Sequence, residues 1–113
     1  MPILKQIQNR AIQSTMTVLQ SLKKMDDVKV KMLFVFKEEK FLSILTIGDI
    51  QRAIIRGVNM NESVMNIIDK NKKFVSYNES LDDVRQKMLR LRSECMPVVD
   101  DGGDLVDVYF WND

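Results

Sequence analysis

MLFVFKEEKFLSILTIGDIQRAI, Met32 to Ile54, passes from two strand-length apolar runs to a helical stripe. KMLFVF, Lys31 to Phe36, is a continuous apolar run of strand length, and FLSILT, Phe41 to Thr46, is a second one. Between them lies only the charged turn KEEK, so the two runs predict a hairpin. Immediately afterwards GDIQRAIIRG places Ile50, Ala53 and Ile54 on one helical stripe, and Gly57 is placed to close that helix. A strand pair that runs straight into a helix is the unit from which the rest of the chain is read.

Upstream, TMTVLQSLKKM (Thr15 to Met25) sets Val18, Leu19, Leu22 and Met25 at helical spacing, with Lys and Gln on the other face. Downstream, VNMNESVMNIIDKNKK (Val58 to Lys73) reads as a connector with one or two helical turns around Val64 to Ile68. The order then begins again. FVSYNES (Phe74 to Ser80) is a short strand leading to a helix cap at Asn78 or Ser80. LDDVRQKMLRL supplies Leu81, Val84, Met88 and Leu91, and CMPVVDDGGDLVDVYFWND is again run, turn, run.

Sliding the first half forward by 64 puts Met32 on Met96, Val35 on Val99, Leu42 on Val106 and Asp49 on Asp113. The helices register at 66, Val18 on Val84 and Met25 on Leu91, which implies a loop two residues longer in the first half. Two copies of one small α+β unit are therefore expected, divided as 1–58 and 59–113. Each half is too small to bury much core alone, so the two are expected to pack through their sheets and leave a cleft.

Composition narrows the function. In 113 residues, 17 Lys and Arg face 16 Asp and Glu, and 45% of residues are hydrophobic. A net charge of +1 supplies no broad field for nucleic acid or an anionic membrane. Histidine is absent, which removes the commonest general base and metal ligand. Cys95, the sole cysteine, has no disulfide partner in the chain and no histidine to activate it; a buried hydrophobe in a reducing, cytoplasmic setting is expected. The opening MPILKQIQNRAIQ has no apolar stretch of signal or membrane-spanning length. Asp26–Asp27 and Asp82–Asp83 are adjacent pairs, which face apart on a helix and do not form a catalytic dyad. No metal set is recognised, and RQKMLRLR (Arg85 to Arg92) reads as a solvated helix face. Tyr109 and Trp111 are candidates for a partner surface.

The chemistry-bearing stretch is the junction Thr46–Asp49. A threonine and an aspartate three residues apart at a helix entrance read first as a capping box. The same arrangement offers a hydroxyl to a phosphate oxygen and a carboxylate to a pair of sugar hydroxyls. Arg52 and Arg56, farther along the helix, add positive charge.

MLFVFKEEKFLSILTIGDIQRAI together with SLDDVRQKMLRLRSECMPVVDDGGDLVDVYFWND resembles a tandem CBS (cystathionine-β-synthase) domain pair. The resemblance implies two β-α-β-β-α repeats with an adenosine nucleotide bound in the cleft between them. Asp49 would then hold the ribose hydroxyls and Thr46 the phosphate. Val75, Ser76, Tyr77, Met96, Pro97 and Val98 would flank the adenine. Ser43 stands where the family has glycine. In the second copy Asp107 takes that place and Phe110 that of Thr46, so a second site around Phe110 and Asp113 is expected to be degenerate.

TIGDIQRAIIRG followed by SVMNII looks most like CBS pairs that precede sugar-phosphate nucleotidyltransferase domains. The resemblance thus implies a homodimeric, non-catalytic regulatory module. It would need no cofactor, take AMP, ADP, ATP or S-adenosylmethionine as regulatory ligand, and control a tethered catalytic domain. A ligand-free dimerisation scaffold is the alternative, and a small hydrolytic or phosphotransfer enzyme using Asp49 is a third.

Overall fold

A computed structural model describes residues 5–69, 75–92 and 95–111. The chain divides into two compact units, Met1–Lys72 and Lys73–Asp113.

The first unit opens with a 3-10 turn over Lys5–Arg10. β1 (Ala11–Gln13), α1 (Val18–Val28), β2 (Met32–Lys37), β3 (Lys40–Thr46) and α2 (Ile47–Ile55) follow. β2 is the central strand, parallel to β1 and antiparallel to β3. The hairpin turn is Glu38–Glu39, with Lys37 opposite Lys40 and Glu38 at φ 57°. Leu33, Val35 and Leu45 from the sheet meet Val18 and Met25 from α1 and Ile50 and Ala53 from α2 in one core. Phe34 and Phe36, which alternate with Leu33 and Val35 along β2, are buried too, and both rings approach Phe41, at 6.3 and 5.6 Å.

The helix ends are capped. Thr17 caps α1 in a reciprocal box with Gln20, and the N–H groups of Val18 and Leu19 donate to the carbonyls of Glu62 and Met60. α2 ends in a Schellman motif: Val58 N–H donates to Ala53 and Gly57 N–H to Ile54, with Gly57 at φ 78°. The glycine placed at this end by sequence is therefore required by a left-handed backbone.

Two apolar residues assigned to helix stripes lie at the rim instead. Leu19 is 38% exposed and Ile54 is 54% exposed. In each helix the buried partners lie three residues on, Val18 with Ser21 and Ile50 with Ala53. Periodicity alone does not choose between i+3 and i+4, whereas packing against the sheet does.

The connector joins the first unit. Ser63 caps a 3-10 turn over Val64–Asn66 and donates its hydroxyl to the Ser14 carbonyl at 2.6 Å, while Val64 N–H donates to Met16. Val64 and Ile67 are buried in the first core. Residues 59–69 thus pack with the chain before them, and the boundary falls at Lys72–Lys73 rather than at 58–59.

The second unit repeats the pattern as β4 (Val75–Ser76), α3 (Leu81–Leu91), β5 (Cys95–Val99) and β6 (Leu105–Phe110). β5 is central, parallel to β4 and antiparallel to β6. Val84 and Met88 from α3 pack on Met96 and Val98, with Tyr109 beside them. Cys95 is buried. Leu81, at the first turn of α3, is half exposed, and the Leu91 side chain lies outside the described residues. Arg85, Arg90 and Arg92 are exposed, as the solvated reading of that helix requires.

The internal repeat is real in its strands: Ala11 pairs with Phe34 as Val75 pairs with Val98, each 64 residues on. The helix offset of 66 is corrected to 63. The caps are Thr17 and Ser80, and both C-caps are left-handed, Lys29 at φ 65° and Arg92 at φ 55°. The helix-to-strand loop is therefore one residue longer in the second unit, not two longer in the first. A three-residue slide is close to a full turn, so the apolar phase is similar at either offset.

Candidate functional site

Strand β3 ends on Thr46, opposite Met32, in extended backbone (φ −104°, ψ 161°), and α2 starts at the next residue. Thr46 Oγ1 accepts the Asp49 N–H at 3.3 Å, and Asp49 Oδ2 accepts the Thr46 N–H at 2.9 Å. The capping box read from the sequence is thus formed, with the aspartate rather than a glutamate at its third position. Asp49 Oδ1 accepts from Arg52 Nη2 at 2.8 Å, a charge-assisted contact. The acid is almost fully buried, its side chain 2% exposed, whereas the Arg52 side chain is 61% exposed.

Gly48 lies beneath this pair. A Cβ there would stand 3.3 Å from Arg52 Nη1 and 3.7 Å from Thr46 Oγ1. The guanidinium therefore covers the glycine, and a hydroxyl and a guanidinium converge above one backbone position. Arg56 takes no part in this cluster: it is the C-cap of α2, about 15 Å along the axis from Thr46 at ~1.5 Å per residue. Ser43, nearby on β3, is buried with its hydroxyl 3.3 Å from the Ile44 carbonyl and 3.4 Å from that of Asp69.

In the second unit the two proposed adenine-flanking segments are neighbours in one sheet. Val75 pairs with Val98 and Ser76 with Val99, and Tyr77 N–H extends the ladder to the Val99 carbonyl. Met96, Pro97 and Val98 are buried, while Tyr77 is exposed. The Ser76 hydroxyl donates to Asn78 Oδ1, and the Ser76 N–H donates to Glu79 Oε2 at 2.8 Å. Glu79 also accepts from Lys87 Nζ at 3.1 Å. The Ser76 N–H, and after it Lys87, hold the Glu79 carboxyl below the usual glutamate range. Sequence reading missed this pair because its members stand eight residues apart, a spacing with no helical signature.

The second copy departs from the first. Tyr109, not Phe110, faces Met96 as Thr46 faces Met32, because this hairpin is paired one residue out of step with the first on both sides of its bulge. Phe110 instead lines a shallow hollow with Leu81, Arg85, Met88 and Trp111. Asp113 lies outside the described residues. Asp100 Oδ1 accepts the N–H groups of Gly102 and Asp104, so this acid organises its own turn. Asp107 Oδ1 likewise accepts the Val108 N–H.

Among the described residues no helix is long and apolar enough to cross a membrane, and no group of three or more Cys, Asp or Glu side chains is placed to hold a metal ion.

Comparison with known proteins bears on this geometry. Residues 63–109 match the family model of the CBS domain. No curated protein gives a significant match. Solved structures similar to the chain include Staphylococcus aureus OpuCA, at 24% identity over 88% of this chain and 83% of that one, with a TM-score of 0.67. The CBS domain protein PAE2072 from Pyrobaculum aerophilum, complexed with AMP, is 18% identical over 90% and 79%, with a TM-score of 0.72. The CBS domain pair of protein MJ0100, in complex with 5′-methylthioadenosine and S-adenosyl-L-methionine, is 21% identical over 90% and 81%, with a TM-score of 0.70. The mixed α+β fold is that of CBS domain pairs.

Proposed function

We propose that the chain is a regulatory module that senses an adenosine nucleotide, AMP, ADP, ATP or S-adenosylmethionine, and that Asp49 is the residue that grips the ribose. The observation that carries this reading is the buried Asp49 carboxylate, held between Thr46 and Arg52 at the entrance of α2, in a fold whose solved examples include pairs with AMP or S-adenosylmethionine bound. Thr46 and Arg52 are assigned to the phosphate, and the segments Val75–Tyr77 and Met96–Val98 to the adenine. The module acts without catalysis of its own, as a homodimer in the cytoplasm, on a tethered catalytic domain of the sugar-phosphate nucleotidyltransferase type.

A second reading has one specific observation in its favour. Both Asp49 oxygens already accept hydrogen bonds within their own helix, which is what a cap with no ligand duty would also show. Under that reading the chain is a dimerisation scaffold.

Thermal unfolding with each of the four compounds separates the two. A ligand present at 100 times its dissociation constant adds about 2.7 kcal/mol of stability. The sensor reading requires an upward shift with at least one compound in the wild type and its loss in Asp49→Asn, a change that keeps a capping oxygen. Identical behaviour of the two proteins with every compound leaves the scaffold.

A further inference from the structure

Resting on the nucleotide reading above, we infer that Arg52 sets the specificity of the Asp49 site for phosphorylated over unphosphorylated nucleosides, by occupying the carboxylate until a phosphate draws it away. The ion pair is lopsided: its acid is buried and its base is open to solvent. Arg52 is therefore the member free to move, since water solvates a displaced guanidinium whereas the carboxylate is fixed by the Thr46 N–H.

The groups that would meet a phosphate already stand together over Gly48. Arg52 Nη1 and Nη2 stand 3.3 and 3.6 Å, and Thr46 Oγ1 3.7 Å, from the position that a Cβ on Gly48 would take. A phosphate oxygen resting against Gly48, where no side chain intervenes, has a planar cation and a hydroxyl beside it. A sugar diol and the guanidinium compete for the same Asp49 oxygen, Oδ1. For adenosine, the exchange replaces a charge-assisted hydrogen bond by a neutral one and leaves the guanidinium without an anion. For AMP, the displaced guanidinium gains the phosphate. A single residue thus penalises one ligand and favours the other.

Calorimetric titration of AMP and of adenosine into the wild type, Arg52→Gln and Arg52→Lys tests this. Arg52 is exposed at a helix surface, and a thermal melt of each variant confirms folding. Arg52→Gln is expected to tighten adenosine about threefold and weaken AMP about tenfold, so that the preference for AMP falls about thirtyfold. Arg52→Lys, which keeps the charge but loses the fork, is expected to fall between. Adenosine affinity unchanged or weakened in Arg52→Gln, or equal changes for both ligands, overturns the role of Arg52 and leaves the sensor reading standing. Binding of neither ligand by any of the three proteins overturns both.

Discussion

Thr46 and Asp49 hold one another twice, each side chain accepting the other's backbone N–H, at 3.3 and 2.9 Å. These two bonds join the last residue of a strand to the first turn of a helix, so they determine where the sheet stops and α2 begins. Thr46→Ala and Asp49→Ala are each expected to cost about 1 kcal/mol of stability in urea titrations. Because each removes half of one reciprocal unit, the double variant should fall short of the sum. Full additivity would mean the two bonds act independently.

Gly57 offers a cleaner case, since its φ of 78° is demanded by the Schellman bonds and nothing lies within 4 Å of an added Cβ. Gly57→Ala should therefore destabilise by about 1 kcal/mol through backbone strain alone. Gly57→Asn should cost less, because asparagine tolerates the left-handed region. A stability scan that finds alanine harmless here would remove the Schellman assignment.

Glu79 gives a pH dependence with a definite sign. The Ser76 N–H and Lys87 depress its folded pKa below the ordinary 4.5. A depressed carboxyl adds stability that is fully present above the unfolded pKa and disappears as pH falls through the folded one. Wild type should thus exceed Glu79→Gln in stability at neutral pH, and the gap should close on acidification below about 4.5. A gap constant from neutral to strongly acid pH would show that the carboxylate's charge contributes nothing.

Met88 and Leu81 share one helix but not one environment, the first buried and the second half exposed. Met88→Ala is expected to lower unfolding free energy by about 2–5 kcal/mol, and Leu81→Ala by less than about 1 kcal/mol. Comparable losses would place Leu81 in the core after all.

The strands were legible because continuous apolar runs flanked by charged turns leave few other outcomes: KMLFVF, FLSILT, CMPVV and LVDVYF all became strands. β1, three residues long, was not readable from composition; it exists because β2 offers it a parallel edge. The Ser80 cap was among the two candidates in sequence, and the structure selects it over Asn78. Arg56 looked equivalent to Arg52 because both follow Asp49 at helical spacing, yet the axial rise of the helix carries it out of reach.

What sequence alone determined was local chemistry: the two hairpins, the helices beside them, the caps at Thr46 and Gly57, the repeat of the strands, and Thr46 and Asp49 standing together. These depend on residues within a few positions of one another, where periodicity and side-chain hydrogen bonding suffice. Tertiary structure alone decided the helix offset, the membership of residues 59–69 in the first unit, and which end of the Asp49–Arg52 pair is buried. Burial is a property of distant neighbours converging, and no local pattern encodes which of two adjacent charges the fold will cover.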